Sequence, residues 1–595
     1  QLQNQAILYI QDGLKGEPRV FLDPNKFSED GTASLSSFSV SKDGKVACYG
    51  ISKGGSDWND FYFIDIETGE KLKDELHWIK FSGAAWRGDG IYYSRFPEPK
   101  VSTKSLSTEN ANQQLYYHKL GTPQSADELI YEDPKHPLRG CYGGTTEDER
   151  FLLLYLSEGA TNDNALKVMD LSKPGGQFVD IITTFDNSYN VVDNIDGQLL
   201  VSTNDDAPRM RLVSIDAANP AKANWKEVIP EKDEVLNGVS LVGGKLFASY
   251  LKDASSQIQI FDIDGTPKGE VKLPGIGTAS GISGKKDEST AFFTFTSFVY
   301  PTTIFQYDTD ANTSEQFRKS GVDFDPSGYE MNQVFYKSKD GTKVPMFIVH
   351  KKGLEMDGTN PTLLYAYGGF NINILPSFST SNIVLLENGG IYAVANLRGG
   401  GEYGESWHQD GMLHKKQNVF DDFIGAAEYL IENKYTSASK LGIMGRSNGG
   451  LLVGAVMCQR PDLFKVAFPG VGVMDMLRYH KFTIGHAWAV EYGRSDEQEH
   501  FANLYGYSPL HNLKDGTEYP ATMVTTADHD DRVVPAHSYK FISRLQAAHK
   551  GDNPVLIRIE TMAGHGAGKP TGKIIEEAAD IWSFLFYNTE SQIKY

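Results

Sequence analysis

The pentapeptide Gly445-Arg446-Ser447-Asn448-Gly449 places a serine between two glycines, directly after an apolar run at residues 441–444. A run of small and apolar residues with helical character follows at residues 449–460. A strand that enters such a turn and leaves it as a helix lifts the serine oxygen above the sheet, where the helix dipole favours a developing anion. A glycine-rich turn with an incidental serine is the alternative. We predict that Ser447 is the nucleophile of a serine hydrolase of the α/β-hydrolase type.

A serine hydroxyl is a weak nucleophile without a base, and in this fold type the acid and the histidine follow the serine along the chain. A predicted strand at residues 521–526 runs into the acidic loop Asp528-His529-Asp530-Asp531-Arg532. Asp530 stands three residues before Val533 in an Asp-x-x-Val pattern, and we predict that it is the catalytic acid. Asp528 and Asp531 remain the alternatives for this role.

Eight histidines follow Ser447 in the chain. Of these, His565 stands in a glycine loop at residues 563–568, after a predicted strand at residues 555–560 and before the C-terminal helix. That is where this fold type carries its general base, so we predict that His565 is the base. The other histidines are expected to be structural, with His537 and His549 on a surface helix.

The tetrahedral intermediate of acyl transfer also needs hydrogen-bond donors for its oxyanion. The expected first donor is the backbone N–H of Asn448, the residue after the nucleophile. The second normally comes from the loop after an early strand, here residues 365–370, where Tyr367 offers its hydroxyl. Tyr367 and Asn448 are therefore the predicted oxyanion hole.

Motifs for metals and cofactors do not accompany these residues. The sequence contains no His-Glu-x-x-His, no Cys-x-x-Cys and no phosphate loop followed by Lys-Ser or Lys-Thr, so neither a metal nor a cofactor is expected. The glycine run at residues 398–404 is interpreted as a structural turn.

The charge balance is acidic, with 77 Asp and Glu against 57 Lys and Arg and a formal net charge of −20. No run of Lys and Arg could follow a phosphate backbone, so nucleic acid is not an expected partner. No segment reaches the ~18 apolar residues needed to cross a bilayer, so a membrane is not expected either. The three cysteines, Cys48, Cys141 and Cys458, are too few and too scattered for a disulfide framework. They suit a reducing compartment, and we expect a cytoplasmic location.

The elements that must position the site fall into two parts. Up to residue 322, short alternating or aromatic-rich runs are separated by Asp-Gly, Gly-Gly and Asn-Asp turns. The same strand-ending pattern recurs every ~50 residues, the length of a propeller blade. Six such units are visible, and residues 6–10 and 19–22 resemble the last two strands of a seventh. We predict a seven-bladed β-propeller at residues 1–322 with an incomplete first blade, and an irregular pair of β-sandwiches is the alternative.

From residue 323 onward the pattern alternates between strands and helices. Buried strands are predicted at residues 345–350, 362–366 and 391–395, and an amphipathic helix at residues 418–433. This alternation is typical of a mostly parallel, doubly wound sheet covered on both faces. Residues 323–595 are therefore the predicted α/β-hydrolase catalytic domain.

Six segments of the chain carry a resemblance to a known family. They are Tyr365-Ala366-Tyr367-Gly368-Gly369-Phe370-Asn371, Asn396-Leu397-Arg398-Gly399-Gly400-Gly401-Glu402-Tyr403-Gly404, Gly445-Arg446-Ser447-Asn448-Gly449-Gly450, Thr483-Ile484-Gly485-His486-Ala487-Trp488, Asp528-His529-Asp530-Asp531-Arg532-Val533-Val534-Pro535 and Ala563-Gly564-His565-Gly566-Ala567-Gly568. With these segments, and with weaker similarity over essentially the whole chain, the sequence resembles the prolyl oligopeptidase (prolyl endopeptidase) family. Members of that family are cytosolic serine peptidases in which a seven-bladed propeller covers an α/β-hydrolase domain.

The resemblance implies that Ser447, Asp530 and His565 form a catalytic triad, and that Tyr367 and Asn448 form the oxyanion hole. It implies a serine endopeptidase that cleaves short peptides on the carboxyl side of proline through an acyl-enzyme. The propeller is expected to cap the site and to exclude large folded proteins. The expected partners are therefore short proline-containing peptides, and the expected state is a monomer.

The resemblance also implies a proline pocket in which Trp488 stacks on the pyrrolidine ring, while Arg532 hydrogen-bonds a carbonyl of the bound peptide. Because the proline nitrogen in a peptide has no N–H, shape and aromatic contact must supply the recognition. Without the family, Trp488 could be a plain core aromatic. The other residues that the resemblance places around this pocket are Phe370, Val473, Ile484, Tyr492 and Val533.

Two features depart from the family. Its members carry an N-terminal segment before the first blade, and this chain begins inside that blade, so the segment is expected to be absent from it. The substrate-facing Arg and Cys of the family's propeller have no convincing match around Asn164-Ala165-Leu166-Lys167, so no propeller residue is predicted at the site.

Three other functions are alternatives to this prediction. An oligopeptidase that cleaves after basic residues is the alternative within the enzymes, and the Trp488 motif argues against it. A dipeptidyl aminopeptidase would need paired glutamates for the substrate's amino terminus, and none is identified. A non-catalytic propeller binding protein is the alternative if the missing segment prevents folding.

Overall fold

Alternating burial shapes the strands of the N-terminal half. The computed structural model describes residues 2–98 and 109–594. In it, the strand Thr290–Ser297 buries Ala291, Phe293 and Phe295, while the side chains between them are half-buried or exposed. Side chains of successive residues point to opposite faces of a strand, so this alternation gives each sheet an apolar face to pack against its neighbour.

The described strands of this half begin with a hairpin, β1 (Leu8–Ile10) and β2 (Arg19–Leu22), and continue as six antiparallel sheets. The first three sheets consist of β3 (Ala33–Val40), β4 (Val46–Lys53), β5 (Asn59–Asp65) and β6 (Lys71–Ile79); β7 (Ala85–Arg87), β8 (Gly90–Arg95), β9 (Gln114–Lys119) and β10 (Glu128–Tyr131); and β11 (Gly140–Thr145), β12 (Phe151–Ser157), β13 (Ala165–Asp170) and β14 (Val179–Ile182). The last three consist of β15 (Tyr189–Ile195), β16 (Gln198–Thr203), β17 (Arg211–Asp216) and β18 (Lys226–Ile229); β19 (Val235–Val242), β20 (Lys245–Lys252), β21 (Ser255–Asp262) and β22 (Pro267–Val271); and β23 (Thr278–Ala279), β24 (Ser283–Gly284), β25 (Thr290–Ser297), β26 (Tyr300–Asp308) and β27 (Thr313–Lys319).

The prediction of a propeller is confirmed, but the blade number needs correction. Within residues 2–98 and 109–594 the structure has six blades where the sequence predicted seven with an incomplete first one. Strands β1 and β2 have three and four residues, and among the described strands they pair only with each other. They form a hairpin that packs Leu22 against Ala47, Tyr49 and Ile64 of the first blade.

The C-terminal half is built around one eight-stranded sheet with the order β28-β29-β31-β30-β32-β33-β34-β35. Strands β28 and β29 are antiparallel to their neighbours, and the other six run parallel. Five of these six are largely buried on both faces, which is why they appear in the sequence as apolar runs, and the edge strand β35 is partly exposed. The strands are β28 (Tyr329–Lys337), β29 (Lys343–Lys351), β30 (Thr362–Tyr365), β31 (Ile391–Ala395), β32 (Leu441–Arg446), β33 (Val466–Gly470), β34 (Ala521–Ala527) and β35 (Val555–Glu560).

Helices cover both faces of this sheet. The described α-helices are α1 (Thr380–Glu387), α2 (Glu405–Gln409), α3 (Gln417–Glu432), α4 (Asn448–Gln459), α5 (Ala489–Tyr492), α6 (Gln498–Tyr507), α7 (Pro509–Asn512), α8 (Ala536–Ala548) and α9 (Thr571–Asn588). Helices α3, α4 and α8 contribute to the apolar core on one face, and α1 and α9 to the core on the other. The predicted doubly wound α/β-hydrolase domain is confirmed. None of the helices in the described ranges is long and apolar enough to cross a membrane.

The two halves meet through a buried ion pair. Lys80 Nζ, just after β6, lies 2.8 Å from Asp531 Oδ2, in the loop after β34, and both side chains are 1% exposed. The same aspartate accepts the backbone N–H of Asp57 at 3.0 Å and the hydroxyl of Ser56 at 3.2 Å. The Lys80 ammonium also lies 5.3 Å from the ring centroid of Trp58. A buried charge without its partner is strongly destabilising, so this pair ties the propeller to the catalytic domain.

Replacing Lys80 by Met is expected to lower the free energy of unfolding by about 3–5 kcal/mol, because Asp531 would keep its buried charge without a cation. The additional change Asp531→Asn should recover part of the loss. Urea unfolding, followed by tryptophan fluorescence, measures both variants.

Lys53→Met is the matched control, because Lys53 is exposed where it pairs with Asp60. It should cost less than about 0.5 kcal/mol. Equal losses for Lys80→Met and Lys53→Met would show that the buried pair does not hold the domains together.

Candidate active site

Ser447 lies in a strained turn between β32 and α4. It has φ 58° and ψ −119°, a backbone conformation that is unfavourable for a residue other than glycine. The turn is held by the Ser447 N–H, which donates to the Gly470 carbonyl at 2.9 Å, and by the Gly450 N–H, which donates to the Ser447 carbonyl at 2.9 Å. The strand, turn and helix that the pentapeptide predicted are therefore all present, with the serine at the start of the helix.

Glycines are required here because backbone segments approach closely. A Cβ on Gly450 would lie 2.4 Å from the Gly470 carbonyl oxygen. A Cβ on Gly445 would lie 2.3 Å from the Gly449 carbonyl oxygen. Any larger residue would push the helix away from the sheet and move the serine.

Asp530 and His565 form a bonded pair across two neighbouring loops, after β34 and β35. Asp530 Oδ2 lies 2.7 Å from His565 Nδ1, and Oδ1 accepts the N–H groups of Arg532 at 3.1 Å and Val533 at 2.9 Å. The Asp530 side chain is fully buried and that of His565 largely so. A histidine whose Nδ1–H donates to a fixed carboxylate has Nε2 free to accept a proton. This pair can orient a general base.

The two alternative acids have other partners. Asp528 is partly exposed and lies 2.7 Å from His529 Nδ1, and Asp531 is the buried partner of Lys80. The geometry favours Asp530.

The histidine loop borders the nucleophile turn. A Cβ on Gly566 would lie 3.7 Å from the Arg446 guanidinium, one residue before the serine. In the described part of the chain, the Ser447 hydroxyl lies near enough to Tyr367 to lower the pKa of that tyrosine, and no hydrogen bond joins Ser447 to His565. Without substrate, bonds between a nucleophile and its base are often long and tighten only in the complex.

Tyr367 and Asn448 are held together. The Asn448 amide donates to the Tyr367 carbonyl at 2.7 Å, and its Oδ1 accepts the Tyr492 hydroxyl at 2.8 Å. Burial raises the pKa of Tyr367 to about 12, and the nearby Ser447 hydroxyl opposes only part of that rise. The Tyr367 hydroxyl therefore stays a donor at neutral pH. Because Asn448 is the first residue of α4, its own N–H has no partner within the helix.

Aromatic rings form the wall beside this pair. Phe370 meets Tyr492 edge-on with ring centroids 5.4 Å apart, and Tyr479 stacks on Trp488 at 6.1 Å. Tyr479 also meets Tyr492 edge-on at 5.4 Å. The structure thus brings Phe370, Trp488 and Tyr492 together, and Tyr479 is a member of the group that the sequence did not predict.

The aliphatic residues of the predicted pocket are distributed around the same core. Val473 and Val533 are buried in the core cluster that also contains Tyr479 and Tyr492. Ile484 is half-buried and immediately precedes the turn Gly485–Trp488.

Arg532 is bonded to the propeller. Its Nε and one Nη donate to the two carboxylate oxygens of Asp57 at 3.0 and 2.7 Å. Burial disfavours the Arg532 charge, but the hydrogen bonds and charge of Asp57 outweigh it and raise the pKa of Arg532. The side chain that the sequence predicts to contact substrate therefore bridges the two domains.

The expectation that His537 lies on a surface helix is wrong. His537 is 2% exposed, and its Nδ1 accepts the Asp475 N–H at 3.1 Å. Burial lowers its pKa to about 4, so it is a neutral structural histidine. Helix α8 packs this face inward against the main core, which the sequence pattern did not indicate.

The propeller residues at the site were also missed. Ser56 and Asp57 contact the acid loop, and a Cβ on Gly564 would lie 1.8 Å from the Gly55 carbonyl oxygen. The propeller turn at residues 54–58 therefore packs against the loops of both Asp530 and His565. Nothing in the sequence around Gly55 signals a contact with residues so far away in the chain.

His414, Glu499 and His500 have ligand atoms within 4.8 Å of one another, at the surface. They come together only through folding and were not predicted.

The chain has a strained serine turn and a buried aspartate hydrogen-bonded to a histidine, on a doubly wound sheet under a propeller. These features define a serine peptidase of the α/β-hydrolase type. Comparison with family models identifies the family within this class. Residues 1–320 match the prolyl oligopeptidase N-terminal β-propeller domain, and residues 376–592 match the prolyl oligopeptidase family. The chain belongs to the prolyl oligopeptidase family.

Individual relatives agree with this assignment. A prolyl endopeptidase of Elizabethkingia meningoseptica is 52% identical over 588 residues, which are 98% of this chain and 83% of the relative. A prolyl endopeptidase of Dictyostelium discoideum is 41% identical, with 95% of this chain and 82% of the relative covered. A solved prolyl endopeptidase structure has a TM-score of 0.95 and 41% identity, with 99% of this chain and 87% of that chain covered.

Replacing Asp530 by Asn is expected to lower kcat by roughly 10⁴, because His565 would lose the acceptor that sets its tautomer. Asp528→Asn should change kcat by less than about threefold, since Asp528 is partly exposed and bonded to His529. Steady-state kinetics on one peptide substrate compares them. A larger loss for Asp528→Asn would reverse the assignment of the acid.

Replacing Tyr367 by Phe is expected to lower kcat by roughly 10²–10³ with little change in KM, because one oxyanion donor is lost. The wild-type hydroxyl keeps its proton below its pKa of about 12. The ratio of the two kcat values should therefore be constant from about pH 6 to about pH 10. A ratio that approaches one toward the alkaline end would show that Tyr367 ionises in this range.

Proposed function

We propose that this protein is a serine endopeptidase that hydrolyses short peptides on the carboxyl side of proline, with Ser447, Asp530 and His565 as its triad. The observation that carries the proposal is the hydrogen bond of 2.7 Å between Asp530 Oδ2 and His565 Nδ1, beside the strained Ser447 turn. The specificity is supported by the aromatic wall and by the prolyl endopeptidases to which the chain is 52% and 41% identical.

The first half of the reaction forms an ester. Ser447 Oγ attacks the proline carbonyl carbon while His565 Nε2 takes the hydroxyl proton, and Asp530 stabilises the imidazolium that results. The Asn448 N–H and the Tyr367 hydroxyl donate to the oxyanion. When the tetrahedral intermediate collapses, the carbon–nitrogen bond breaks, and His565 gives its proton to the leaving amine.

The second half releases the product. A water molecule attacks the ester carbonyl carbon, and His565 takes one of its protons. The same two donors hold the second oxyanion. The bond to Ser447 Oγ then breaks, and the serine recovers its proton from His565.

Proline is recognised by shape. A pyrrolidine ring is flat and apolar, and its nitrogen offers no donor, so aromatic and aliphatic walls are the suitable surface. We assign this surface to Trp488, which stacks on the ring, with Phe370, Val473, Ile484, Tyr492 and Val533 around it. Arg532 takes the role of donor to a peptide carbonyl, which requires its guanidinium to share or release Asp57.

The alternative preference for basic residues would need a free carboxylate beside this pocket. Glu491 lies next to Tyr492 and is buried, but its oxygens are bonded to Lys416 and His408. An acid that is already neutralised does not favour a basic side chain.

The propeller is assigned the role of restricting substrates to short peptides. The hairpin of β1 and β2 packs on the first blade, and the Arg318 side chain of β27 in the last blade donates to Gln11 at 2.9 Å. Two further predictions from the sequence are a monomer and a cytoplasmic location. The three cysteines are free thiols, as expected in a reducing compartment.

Fluorogenic peptides that differ only in Pro, Arg or Ala at the cleaved position test the function. The proline peptide should have the highest kcat/KM, and Trp488→Ala should lower that value by about tenfold or more, because the stacked ring is lost. Ser447→Ala should remove cleavage of all three. Cleavage after Arg in preference to Pro would overturn the specificity, and activity that survives in Ser447→Ala would overturn the mechanism.

A further inference from the structure

Charged side chains lie together behind the oxyanion loop, outside the triad. Lys416 immediately precedes α3, Glu491 belongs to α5 and His408 to α2. The side chains of Lys416 and Glu491 are 1% and 2% exposed, and that of His408 is 10% exposed. Charges buried this deeply are costly unless they are paired and hydrogen-bonded, so their contacts should show what they do.

The contacts form a continuous chain. Lys416 Nζ donates to the Gly368 carbonyl at 3.0 Å and to Glu491 Oε1 at 3.2 Å. Glu491 Oε2 lies 2.8 Å from His408 Nε2, and His408 Nδ1 lies 3.1 Å from Glu405 Oε1. Two basic side chains therefore alternate with two carboxylates. The group as a whole is neutral when all four side chains are charged.

The pKa shifts of His408 and Glu491 fit this arrangement, whereas burial lowers the pKa of Lys416 and the charge of Glu491 opposes that shift. Burial disfavours a charge on His408, but the bonds to Glu405 and Glu491 outweigh it and raise its pKa to about 9. Burial likewise disfavours a charge on Glu491, but Lys416, His408 and the backbone N–H of Phe370 lower its pKa. At neutral pH both residues are therefore ionised.

These charged side chains contact the backbone of a neighbouring loop as well as one another. The loop at residues 367–370 belongs to no strand or helix. Its Gly368 carbonyl accepts a hydrogen bond from Lys416, and its Tyr367 carbonyl accepts one from Asn448. The Phe370 N–H lies near enough to Glu491 to lower the pKa of that carboxyl. Side chains from other elements therefore hold the loop at Tyr367 and Gly368, and Glu491 lies beside it at Phe370.

We propose that Lys416 is a positioning residue for catalysis, which acts through the Gly368 carbonyl and Glu491 to hold the Tyr367 hydroxyl where the oxyanion forms. This inference rests on the proposed function of the site. Lys416 does not touch the reacting atoms. Its removal lets the loop move, so the oxyanion loses an aligned donor, while Trp488 lies outside this loop and still stacks on the proline ring.

Two ligands separate this role from a merely structural one. A peptide aldehyde that ends in prolinal accepts Ser447 Oγ at its carbonyl carbon, so that the carbon–oxygen double bond becomes an oxyanion and the serine proton passes to His565. The same peptide ending in pyrrolidine has no such carbonyl and reports only on the proline pocket. In Lys416→Met the affinity for the aldehyde should fall about tenfold, as expected for a lost charge-assisted hydrogen bond, with a similar loss in kcat. The affinity for the pyrrolidine peptide and KM should change less than about twofold.

Lys415→Met is the matched control, because the neighbouring Lys415 is exposed and pairs with Asp410 at the surface. It should leave both affinities unchanged. The positioning role is wrong if Lys416→Met lowers the affinities for both ligands equally. It is also wrong if the variant keeps the wild-type preference for the aldehyde.

Lys416→Met leaves Glu491 with one cation fewer, and this variant could fold poorly. Lys416→Met/Glu491→Gln removes both charges and keeps an oxygen beside the Phe370 N–H. The double variant should be more stable than the single one and should show the same reduced preference for the aldehyde, because the Gly368 carbonyl still lacks its donor. A double variant with wild-type preference would overturn the inference.

The wild type tests the underlying function in the same assay. It should bind the aldehyde more tightly than the pyrrolidine peptide, and Ser447→Ala should abolish the difference. If the wild type shows no difference, the proposed function fails. If the wild type shows it and Lys416→Met keeps it, only the role of Lys416 fails.

Discussion

The contact between the propeller turn at residues 54–58 and the two loops of the acid and the base is the constraint on which the site depends. Gly55 and Gly564 approach so closely that neither position has room for a Cβ. Beside them, the buried pair of Lys80 and Asp531 joins the domains one residue away from Asp530. The proposed acid and base, Asp530 and His565, come from loops rather than from regular elements, and loops are mobile unless something holds them. Here the propeller holds these two loops in place.

The proposed nucleophile has a different kind of support, because the residues that shape its turn are its neighbours in the sequence. Ser447 is positioned by its own strand and helix and by glycines within a few positions of it, so the sequence around it contains the whole explanation. The same holds for His565 in its glycine loop and for the amphipathic pattern that predicted α3 within one residue at each end. The choice of Asp530 as the acid depends on more than the nearby sequence, because three aspartates lie in one loop. Only the contacts of Asp528 and Asp531 in the folded chain distinguish them from Asp530.

What could not be predicted depends on residues that are distant in the chain. Lys416 follows Lys415, and a pair of lysines before a helix is normally interpreted as a solvated surface. Its burial is decided by Gly368 and Glu491, which are 48 and 75 positions away. His537 was misjudged in the same way, because the face of α8 that turns inward is set by the neighbouring elements. The blade number was overestimated because two short strands were counted by their pattern, whereas a blade requires partners that these strands do not have.

The irregular backbone of the oxyanion loop explains why charged groups, and not apolar ones, lie behind it. A loop that presents Tyr367 and Phe370 on one side must leave carbonyl and N–H groups facing the interior on the other, and a buried backbone group without a partner is costly. Apolar side chains could fill the volume of Lys416 and Glu491, but they could not bond the Gly368 carbonyl or the Phe370 N–H. An isolated lysine or glutamate could bond one of these groups, but only at the cost of an unpaired buried charge. A lysine, a glutamate and a histidine in alternation meet both requirements, because each charge is neutralised by the next while the loop receives its donor and its acceptor.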